Sequence, residues 1–375
     1  MATKPFAIEI VGLEKHFGSA LVLDQLSLSV VQNELLVILG ESGSGKSTLL
    51  KLIAGLEKPQ HGCVRFSDVD QARVLPHMRD VAVVFQNGNG YEHLSVRQNL
   101  DLAAKKSSSP AQVIRWVDSL KLGNTLKQRL NQLSGGQLQR VAIARAILSG
   151  KSIVLLDEPL AHLNQSLREE MRELILMVHK ESKRTFVYVT HDSDEAFYLA
   201  NRIAVLDSGR IQQVGEPRTV YCMPSSKEVA RLLGQPTIDI LQLPSVWFDA
   251  TQKSDATVQE CGLRSNDWTI HRIETNATSQ LADFQKGLSI TAAGVILKGT
   301  IVRCRWMGNR WMLEIECPER VRITCDTGDT HHSTELQVAE ELSRSSTQFE
   351  SCGFVEASIP LTCIQTFGGN RPNGI

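Results

Sequence analysis

The sequence lacks the features that mark a zinc-binding or disulfide-stapled protein. No C-x-x-C pair occurs among its eight cysteines, which stand at positions 63, 222, 261, 304, 317, 325, 352 and 363. Structural zinc sites commonly pair cysteines at that spacing, and disulfide scaffolds crowd them into short secreted chains. The pattern therefore favours cysteines that act as small apolar side chains in a reducing compartment.

Long apolar runs and an excess of one charge are also missing. No stretch reaches the roughly 18 apolar residues that a bilayer span needs, and MATKPFAIEI (1–10) lacks the layout of a secretory signal. The 40 basic and 41 acidic residues leave a formal net charge of −1, which gives no global attraction to nucleic acid or an anionic membrane. We therefore expect a soluble cytosolic chain, and 375 residues at 42% hydrophobic predict two domains or more.

What is present is a glycine-rich loop between an apolar strand and a helix. LLVILGESGSGKSTLLKLIAG (35–55) reads as an apolar run, then G-x-x-x-x-G-K-S, then apolar residues at helical spacing. Glycines let backbone N–H groups converge on phosphate oxygens, and the helix N-terminus adds a positive dipole. The residues predicted to bind a nucleoside triphosphate are Gly40, Glu41, Ser42, Gly43, Ser44, Gly45, Lys46, Ser47 and Thr48. Lys46 can reach the β- and γ-phosphates, and Ser47 can ligate Mg²⁺.

A pair of carboxylates follows a second apolar strand. SIVLLDEP (152–159) predicts a buried strand that delivers Asp157 and Glu158 at its carboxyl end, where ligands of open α/β sheets bind. Asp157 is expected to hold Mg²⁺ through water. Glu158 is expected to be the general base for the water that attacks the γ-phosphate.

A second glycine turn opens another helix. Ser134 has the sequence context of a helix N-cap, and the residues after it have helical spacing. The second set of predicted nucleotide-binding residues is Ser134, Gly135, Gly136 and Gln137. One nucleotide cannot readily occupy two helix N-termini from distant parts of one fold. The second turn is therefore expected to serve the nucleotide held by another copy of the chain.

These motifs together carry a resemblance. LSGGQ (133–137), GESGSGKST (40–48), LLDEP (155–159) and Thr190-His191-Asp192 resemble the nucleotide-binding subunit of an ATP-binding cassette (ABC) transporter, and the resemblance covers about residues 8 to 235. It implies an α/β P-loop NTPase fold in residues 1–235, with a small helical subdomain at about 87–140. The implied activity is ATP hydrolysis coupled to transmembrane transport, with ATP and Mg²⁺ as cofactors.

The resemblance also assigns roles to single residues. Phe17 matches the aromatic residue that stacks on adenine, and Gln86 matches the glutamine that senses the γ-phosphate and Mg²⁺. His191 matches the histidine that contacts the γ-phosphate and helps to hold the attacking water. The implied mechanism places two ATP molecules between two head-to-tail protomers, so that ATP closes the dimer and hydrolysis lets it open.

Two departures from the family pattern stand near these motifs. Importer ATPases commonly show Tyr-Ala-Leu where this chain has Gly88-Asn89-Gly90, and proline where it has Glu92. The change removes apolar surface from the segment that receives a helix of the membrane subunit. Asn164 replaces an aspartate that supports communication across the dimer, so hydrolysis is expected to be slower or less coupled.

The remainder of the chain predicts an all-β domain. TIVRCRWMGNRWMLEIEC (300–317) alternates as a β-hairpin with a turn at Gly308-Asn309. With VRITC (321–325) and SIPLTCIQTF (358–367) it resembles the OB-like barrel, a transport-associated regulatory domain, appended to importer ATPases. We assign this domain to residues 236–375.

The resemblance implies a homodimer, or a pair with a non-identical cassette, beneath two permease subunits at the cytoplasmic face of the membrane, served by an external solute-binding protein. LGQPTIDIL (233–241) is most similar to carbohydrate and glycerol-phosphate importers, which favours a sugar or sugar phosphate as the solute. Polyamine, sulfate and ferric iron are the alternatives, and a regulatory protein could dock on the second domain. A nucleic-acid-binding ATPase is the rival from another class, because arginines interleave with Trp306 and Trp311. The alternation favours packed tryptophans and solvated arginines, so no nucleic acid is expected.

Overall fold

The computed structural model describes residues 5–86, 90–104 and 109–234 in full. It also describes the backbone of the strands that lie between residues 239 and 367. The chain divides into two compact units, Met1–Tyr221 and Cys222–Ile375. The predicted domain boundary between residues 235 and 236 stays a prediction.

The first unit alternates strands and helices. Its described strands are β1 (Phe6–Phe17), β2 (Ala20–Val31), β3 (Leu35–Leu39), β4 (His61–Phe66), β5 (Val69–Asp70), β6 (Val81–Val84), β7 (Ile153–Asp157), β8 (Thr185–Thr190), β9 (Arg202–Asp207) and β10 (Arg210–Gly215). Its described helices are α1 (Lys46–Ala54), α2 (Val96–Ala103), α3 (Pro110–Ser119), α4 (Gly135–Leu148), α5 (Gln165–Ser182), α6 (Ser193–Leu199) and α7 (Pro217–Cys222). Short 3₁₀ turns lie at Pro76–Met78, Gly123–Thr125 and Leu130–Gln132.

Two sheets build this unit. An antiparallel sheet has the strand order β2-β1-β4-β5, and the core sheet has the order β10-β9-β3-β8-β7-β6. Strands β9, β3, β8, β7 and β6 run parallel, while β10 pairs with β9 in the antiparallel sense. Strands β3, β7 and β8 are buried at every residue, as expected for a parallel sheet covered on both faces. The predicted α/β architecture is therefore present.

The register of the core sheet brings together the ends of the strands that precede the predicted site residues. Leu39, the last residue of β3, lies opposite Thr190, and Asp157 lies opposite Val189. On the other side of β7, Val84 lies opposite Leu156. The carboxyl ends of four neighbouring strands therefore meet along one edge of the sheet.

A helical segment separates β6 from β7. Helices α2 and α3 begin with capping boxes at Ser95–Gln98 and Ser109–Gln112, as their sequence pattern predicts. Helix α4 packs against both of them. Among the described residues, no helix combines the length and the apolar character that a bilayer crossing requires.

The second unit is built from antiparallel pairs. It begins with helix α8 (Lys227–Leu232), and its described strands are β11 (Asp239–Pro244), β12 (Val258–Leu263), β13 (Thr269–Glu274), β14 (Gly287–Thr291), β15 (Gly294–Trp306), β16 (Trp311–Glu316), β17 (Arg322–Asp326), β18 (Gln348–Pro360) and β19 (Gln365–Phe367). One sheet has the order β11-β12-β19, and the other has the order β13-β18-β15-β16-β17 with β14 also paired to β15.

The predicted hairpin is confirmed in this unit. Strands β15 and β16 pair antiparallel, with Trp306 opposite Trp311 and Cys304 opposite Leu313. A register shift between Ile301 and Arg303 interrupts the strict alternation that the sequence suggested. The predicted turn residues Gly308 and Asn309 lie outside the described residues.

Candidate functional site

The loop at residues 40–45 joins β3 to α1, as predicted. Gly45 is the N-cap of α1 with φ 104°, and it offers no side chain to cap the helix. The first N–H groups of α1 therefore have no side-chain acceptor and can donate hydrogen bonds to an anionic ligand. A Cβ atom on Gly45 would lie 2.7 Å from Leu23 Cδ2 and 3.0 Å from the carbonyl oxygen of Val22. The β1–β2 hairpin thus closes on the back of this loop.

Lys46 is the cation of the loop. Its side chain is only 4% exposed, and Nζ donates to the carbonyl oxygens of Gly40 and Glu41 at 2.9 and 2.7 Å. Burial lowers the pKa of Lys46, and the negative charge of Glu158 opposes that shift. The ammonium group therefore holds the loop in shape while it lies buried beside a carboxylate.

Ser47 and Asp157 bring two oxygen donors together. Ser47 Oγ donates to Asp157 Oδ1 at 2.9 Å, which joins α1 to the end of β7. Burial raises the pKa of Asp157, and the hydrogen bond from Ser47 opposes that rise. A hydroxyl and a carboxylate are ligand types that Mg²⁺ prefers, so the donor set fits the predicted metal. In the same loop, Ser44 Oγ is buried and has no hydrogen-bond partner.

Glu158 and His191 meet at the same edge. Glu158 adopts φ 41°, a left-handed conformation that is uncommon outside glycine, and its N–H donates to the carbonyl oxygen of Val189. Its Oε2 lies 3.2 Å from His191 Nδ1, and its Oε1 lies 3.9 Å from Lys46 Nζ. The predicted base therefore stands between an imidazole and an ammonium group.

Two further predicted residues lie at or just after the end of a strand. Gln86 is exposed and follows β6, the strand next to β7. Phe17 ends β1, is about half exposed, and has Lys15 Nζ 4.9 Å from its ring centroid. Lys15 lies opposite Leu23, the residue that contacts Gly45, so the hairpin places Phe17 near the loop. No described contact joins Gln86 or Phe17 directly to Glu158 or His191.

The second glycine turn has the predicted cap. Gln137 N–H donates to Ser134 Oγ at 3.4 Å, and Ser134 N–H donates to Gln137 Oε1 at 3.0 Å. This capping box satisfies two of the first donors of α4 and leaves the N–H groups of Gly135 and Gly136 without an intrahelical partner. Among the described residues, no hydrogen bond or ion pair links this turn to the loop at 40–48. The loop at 40–48 and the turn at 134–137 are therefore two separate helix N-termini with free N–H groups.

The departures from the family pattern have distinct positions. Asn164 is the N-cap of α5, and its Oδ1 accepts from Leu167 N–H at 3.0 Å. Of Gly88-Asn89-Gly90, only Gly90 is among the described residues. A Cβ atom at Gly90 would collide with Leu130 Cδ1, so a leucine at this position requires Leu130 to move.

The sequence analysis did not single out one buried acid at this edge. Glu195 of α6 is 4% exposed, and its carboxylate accepts hydrogen bonds from Tyr188 and Thr190. It stands four residues beyond His191 in a stretch without motif character of its own. Its hydrogen-bond partners lie on β8, and they become apparent only from the way that α6 packs against that strand.

Comparison with known proteins gives a consistent picture. A sequence model of the ABC transporter family matches residues 23–161. The chain is 42% identical over 242 residues to an sn-glycerol-3-phosphate import ATP-binding protein of Rhizobium etli, covering 63% of this chain and 70% of that protein. It is 34% identical over 319 residues to the maltose/maltodextrin import ATP-binding protein of Photorhabdus laumondii, covering 83% and 86%.

Two other comparisons bear on solute and fold. The chain is 41% identical over 236 residues to a spermidine/putrescine import ATP-binding protein of Pseudomonas aeruginosa, covering 62% of this chain and 65% of that protein. Among solved structures it is similar to cbiO1 of Clostridium perfringens, part of an ABC transporter complex, with a TM-score of 0.54 and 25% identity. That match covers 61% of this chain and 94% of the other.

Proposed function

This chain belongs to the ABC transporter family as an ATP-hydrolysing subunit of the import type, and we propose that it powers the uptake of a sugar or a sugar phosphate. The similarity to glycerol-phosphate and maltose import proteins supports this solute class. A polyamine is the second candidate, supported by the 41% identity to a spermidine/putrescine import protein.

The observation that carries hydrolysis is the contact chain along the carboxyl edge of the core sheet. Glu158 Oε1 lies 3.9 Å from Lys46 Nζ, and Glu158 Oε2 lies 3.2 Å from His191 Nδ1. Ser47 Oγ donates a hydrogen bond to Asp157. In the proposed reaction the glycine loop and Lys46 bind the phosphates of ATP, and Glu158 accepts a proton from the attacking water. His191 orients that water and the γ-phosphate. Ser47 and Asp157, with Gln86, would hold Mg²⁺, which neutralises phosphate charge when bound.

The uncapped N–H groups of Gly135 and Gly136 support a dimer. In a head-to-tail pair, the Ser134–Gln137 turn of one protomer would meet the γ-phosphate held by its partner. ATP then joins the two protomers, and loss of the γ-phosphate releases them. Two permease subunits would follow this opening and closing, with the chain peripheral at the cytoplasmic face of the membrane.

The second unit is assigned a regulatory role in this proposal. Its antiparallel sheets and the β15–β16 hairpin support an OB-like, transport-associated domain. An external solute-binding protein would deliver the solute to the permease. A regulatory protein could dock on this domain.

The test of hydrolysis is Glu158→Gln, which removes the base and keeps the side-chain shape. We expect phosphate release to fall at least about a hundredfold, within the range that general bases contribute, and size exclusion with ATP to show a stable dimer. Glu173→Gln, an exposed position on α5, is the control and should leave both unchanged. A variant that stays monomeric with ATP would contradict the shared-nucleotide dimer.

The partners are tested with the same variant. Tagged Glu158→Gln, incubated with ATP, is recovered from gently solubilised membranes of its own source, and the proteins that come with it are identified. Recovery of polytopic membrane proteins would support the importer, and uptake of labelled sugar phosphate, maltose and spermidine through them would separate the solutes. Recovery of nucleic acid or of soluble proteins alone would contradict the proposal.

A further inference from the structure

Glu195 is a buried carboxylate that the proposed reaction does not use. Its Oε2 accepts hydrogen bonds from Tyr188 Oη at 2.7 Å and from Thr190 Oγ1 at 2.8 Å. No Lys, Arg or His of the described residues lies within ion-pair distance of it. Burial raises the pKa of Glu195, and the two hydroxyl donors oppose the rise. Burying a carboxyl group without a cation beside it lowers the stability of the fold. The presence of Glu195 therefore points to a role that offsets this loss.

The two hydroxyls belong to the strand that ends just before His191. Thr190 is the last residue of β8, and besides donating to Glu195 its Oγ1 accepts the N–H of Asp192 at 3.0 Å. The carbonyl oxygen of Thr190 accepts the N–H of Gly40, the first residue of the nucleotide loop, at 3.3 Å. Thr190 therefore joins the His191 segment to the loop that is proposed to bind ATP.

The residue on the other side of His191 is fixed as well. Asp192 is the N-cap of α6, and its Oδ1 accepts the N–H groups of Asp194 and Glu195 at 2.8 and 3.2 Å. Glu195 thus bonds to Asp192 through its backbone and to Thr190 through its side chain. Through these two bonds, Glu195 fixes both Thr190 and Asp192, the residues that flank His191 in the turn at 190–192.

His191 depends on this turn because packing does not hold it. Its side chain is 52% exposed, and the 3.2 Å contact with Glu158 is its one described side-chain contact. A ring that lies half in solvent takes its position from the backbone that carries it. The direction of the 190–192 turn therefore decides whether Nδ1 meets the carboxylate of Glu158.

We propose that Glu195 is a positioning residue for ATP hydrolysis, which holds the 190–192 turn through Thr190 and Tyr188 so that His191 is aligned with Glu158. The inference rests on the proposed hydrolytic role of Glu158 and His191. Glu195 is expected to affect the rate of the chemical step, whereas the affinity for nucleotide is expected to depend on the loop at 40–48.

The first test uses substitutions that keep or remove one hydroxyl. Thr190→Val keeps the shape of the side chain but loses both hydrogen bonds of Oγ1, and Thr190→Ser keeps them. We expect kcat for ATP to fall about tenfold in Thr190→Val, since small displacements of catalytic groups reduce rates by up to about a hundredfold. KM for ATP should stay within about twofold, and Thr190→Ser should restore most of kcat.

A matched control lies on the same strand. Thr185 is buried at the opposite end of β8, and its Oγ1 accepts the N–H of Asn33 at 3.1 Å. Thr185→Val removes an equally buried hydroxyl at the edge away from His191, so kcat should be unchanged. An equal loss of kcat in Thr185→Val and Thr190→Val would overturn the inference in favour of general destabilisation.

The acid itself is tested by Glu195→Gln and Glu195→Ala. Glutamine keeps a carbonyl oxygen that can accept from both hydroxyls, so most of kcat should remain, whereas alanine should lower kcat at least as far as Thr190→Val. If Glu195→Ala does not fold, the threonine variants still decide the question. Full kcat in Glu195→Ala would overturn the inference, whatever the kcat of Thr190→Val.

The decisive experiment combines Thr190→Val with His191→Ala in the full chain. If the threonine acts through His191, the double variant should have the kcat of His191→Ala within about twofold, because residues that act as a unit are not additive. Multiplied losses would overturn the inference alone. If His191→Ala itself retains full kcat, the proposed role of His191 fails and the inference fails with it.

Discussion

A methyl group added to Gly45 is expected to destabilise the first unit by two separable effects. Gly45 has φ 104°, and an alanine in a left-handed conformation costs about 1–2 kcal/mol. Its Cβ would also lie 2.7 Å from Leu23 Cδ2, a buried core atom, and 3.0 Å from a backbone oxygen. Overpacking of this kind costs about 1–3 kcal/mol more. Gly45→Ala should therefore lower the free energy of unfolding by about 2–5 kcal/mol.

Two glycines of the same unit isolate the first effect. Gly43 and Gly12 have φ 86° and 55°, and a Cβ on either would meet nothing within 4 Å. Their alanine variants should lose only the conformational share of about 1–2 kcal/mol. In thermal unfolding, the transition that ATP raises reports on this unit. Tm should fall by roughly 10 °C in Gly45→Ala and by less than half of that in the controls. Equal shifts in all three variants would refute the close-approach argument.

Three further changes test the site. Acidification should weaken Mg²⁺-dependent ATP binding, because burial raises the pKa of Asp157 and its carboxylate is therefore protonated at a higher pH than that of an ordinary aspartate; a binding titration of Asp157→Asn should lack this pH dependence. Asn164→Asp keeps the cap of α5 and adds a charge at a helix N-terminus; thermal unfolding should show a gain of about 0.5 kcal/mol, and phosphate release should rise. Gly136→Ala should stabilise the isolated chain by about 0.5–1 kcal/mol yet abolish the ATP-dependent dimer of Glu158→Gln on size exclusion. A Gly136→Ala chain that still dimerises would contradict the proposal that the turn at 134–137 binds the nucleotide of a second copy.

Sequence patterns predicted the parts of the site that are formed by residues close together along the chain. The strand, loop and helix around Lys46 and the cap at Ser134 follow from spacing over a few residues, because caps and turns are made by near neighbours. The strand that delivers Asp157 is equally local. Its place between β8 and β6 was expected only from the general rule for α/β sheets.

The tertiary contacts could not be predicted in this way. The left-handed φ of Glu158 leaves no signal in its residue type, since such a conformation is imposed by the surrounding structure. The bonds of Glu195 depend on how α6 folds back over β8, and the hairpin that covers Gly45 comes from the other sheet. In each case the partner is chosen by packing between elements.

The two glycine turns differ in what requires the glycine. At Gly45 the chain itself does, because φ is positive and a core side chain and a carbonyl lie too close for a Cβ. At Gly135 and Gly136 it does not. Both lie in regular helix, and a Cβ there would make ordinary contacts at 3.5 Å with Leu163 and Leu167. Glycine in a helix costs about 0.5–1 kcal/mol relative to alanine. Because the fold itself does not require these two glycines, the proposed approach of another molecule to the backbone of α4 supplies a reason for them. The two free N–H groups can donate hydrogen bonds to an anion, and a phosphate held by a second copy of the chain is the anion that we propose.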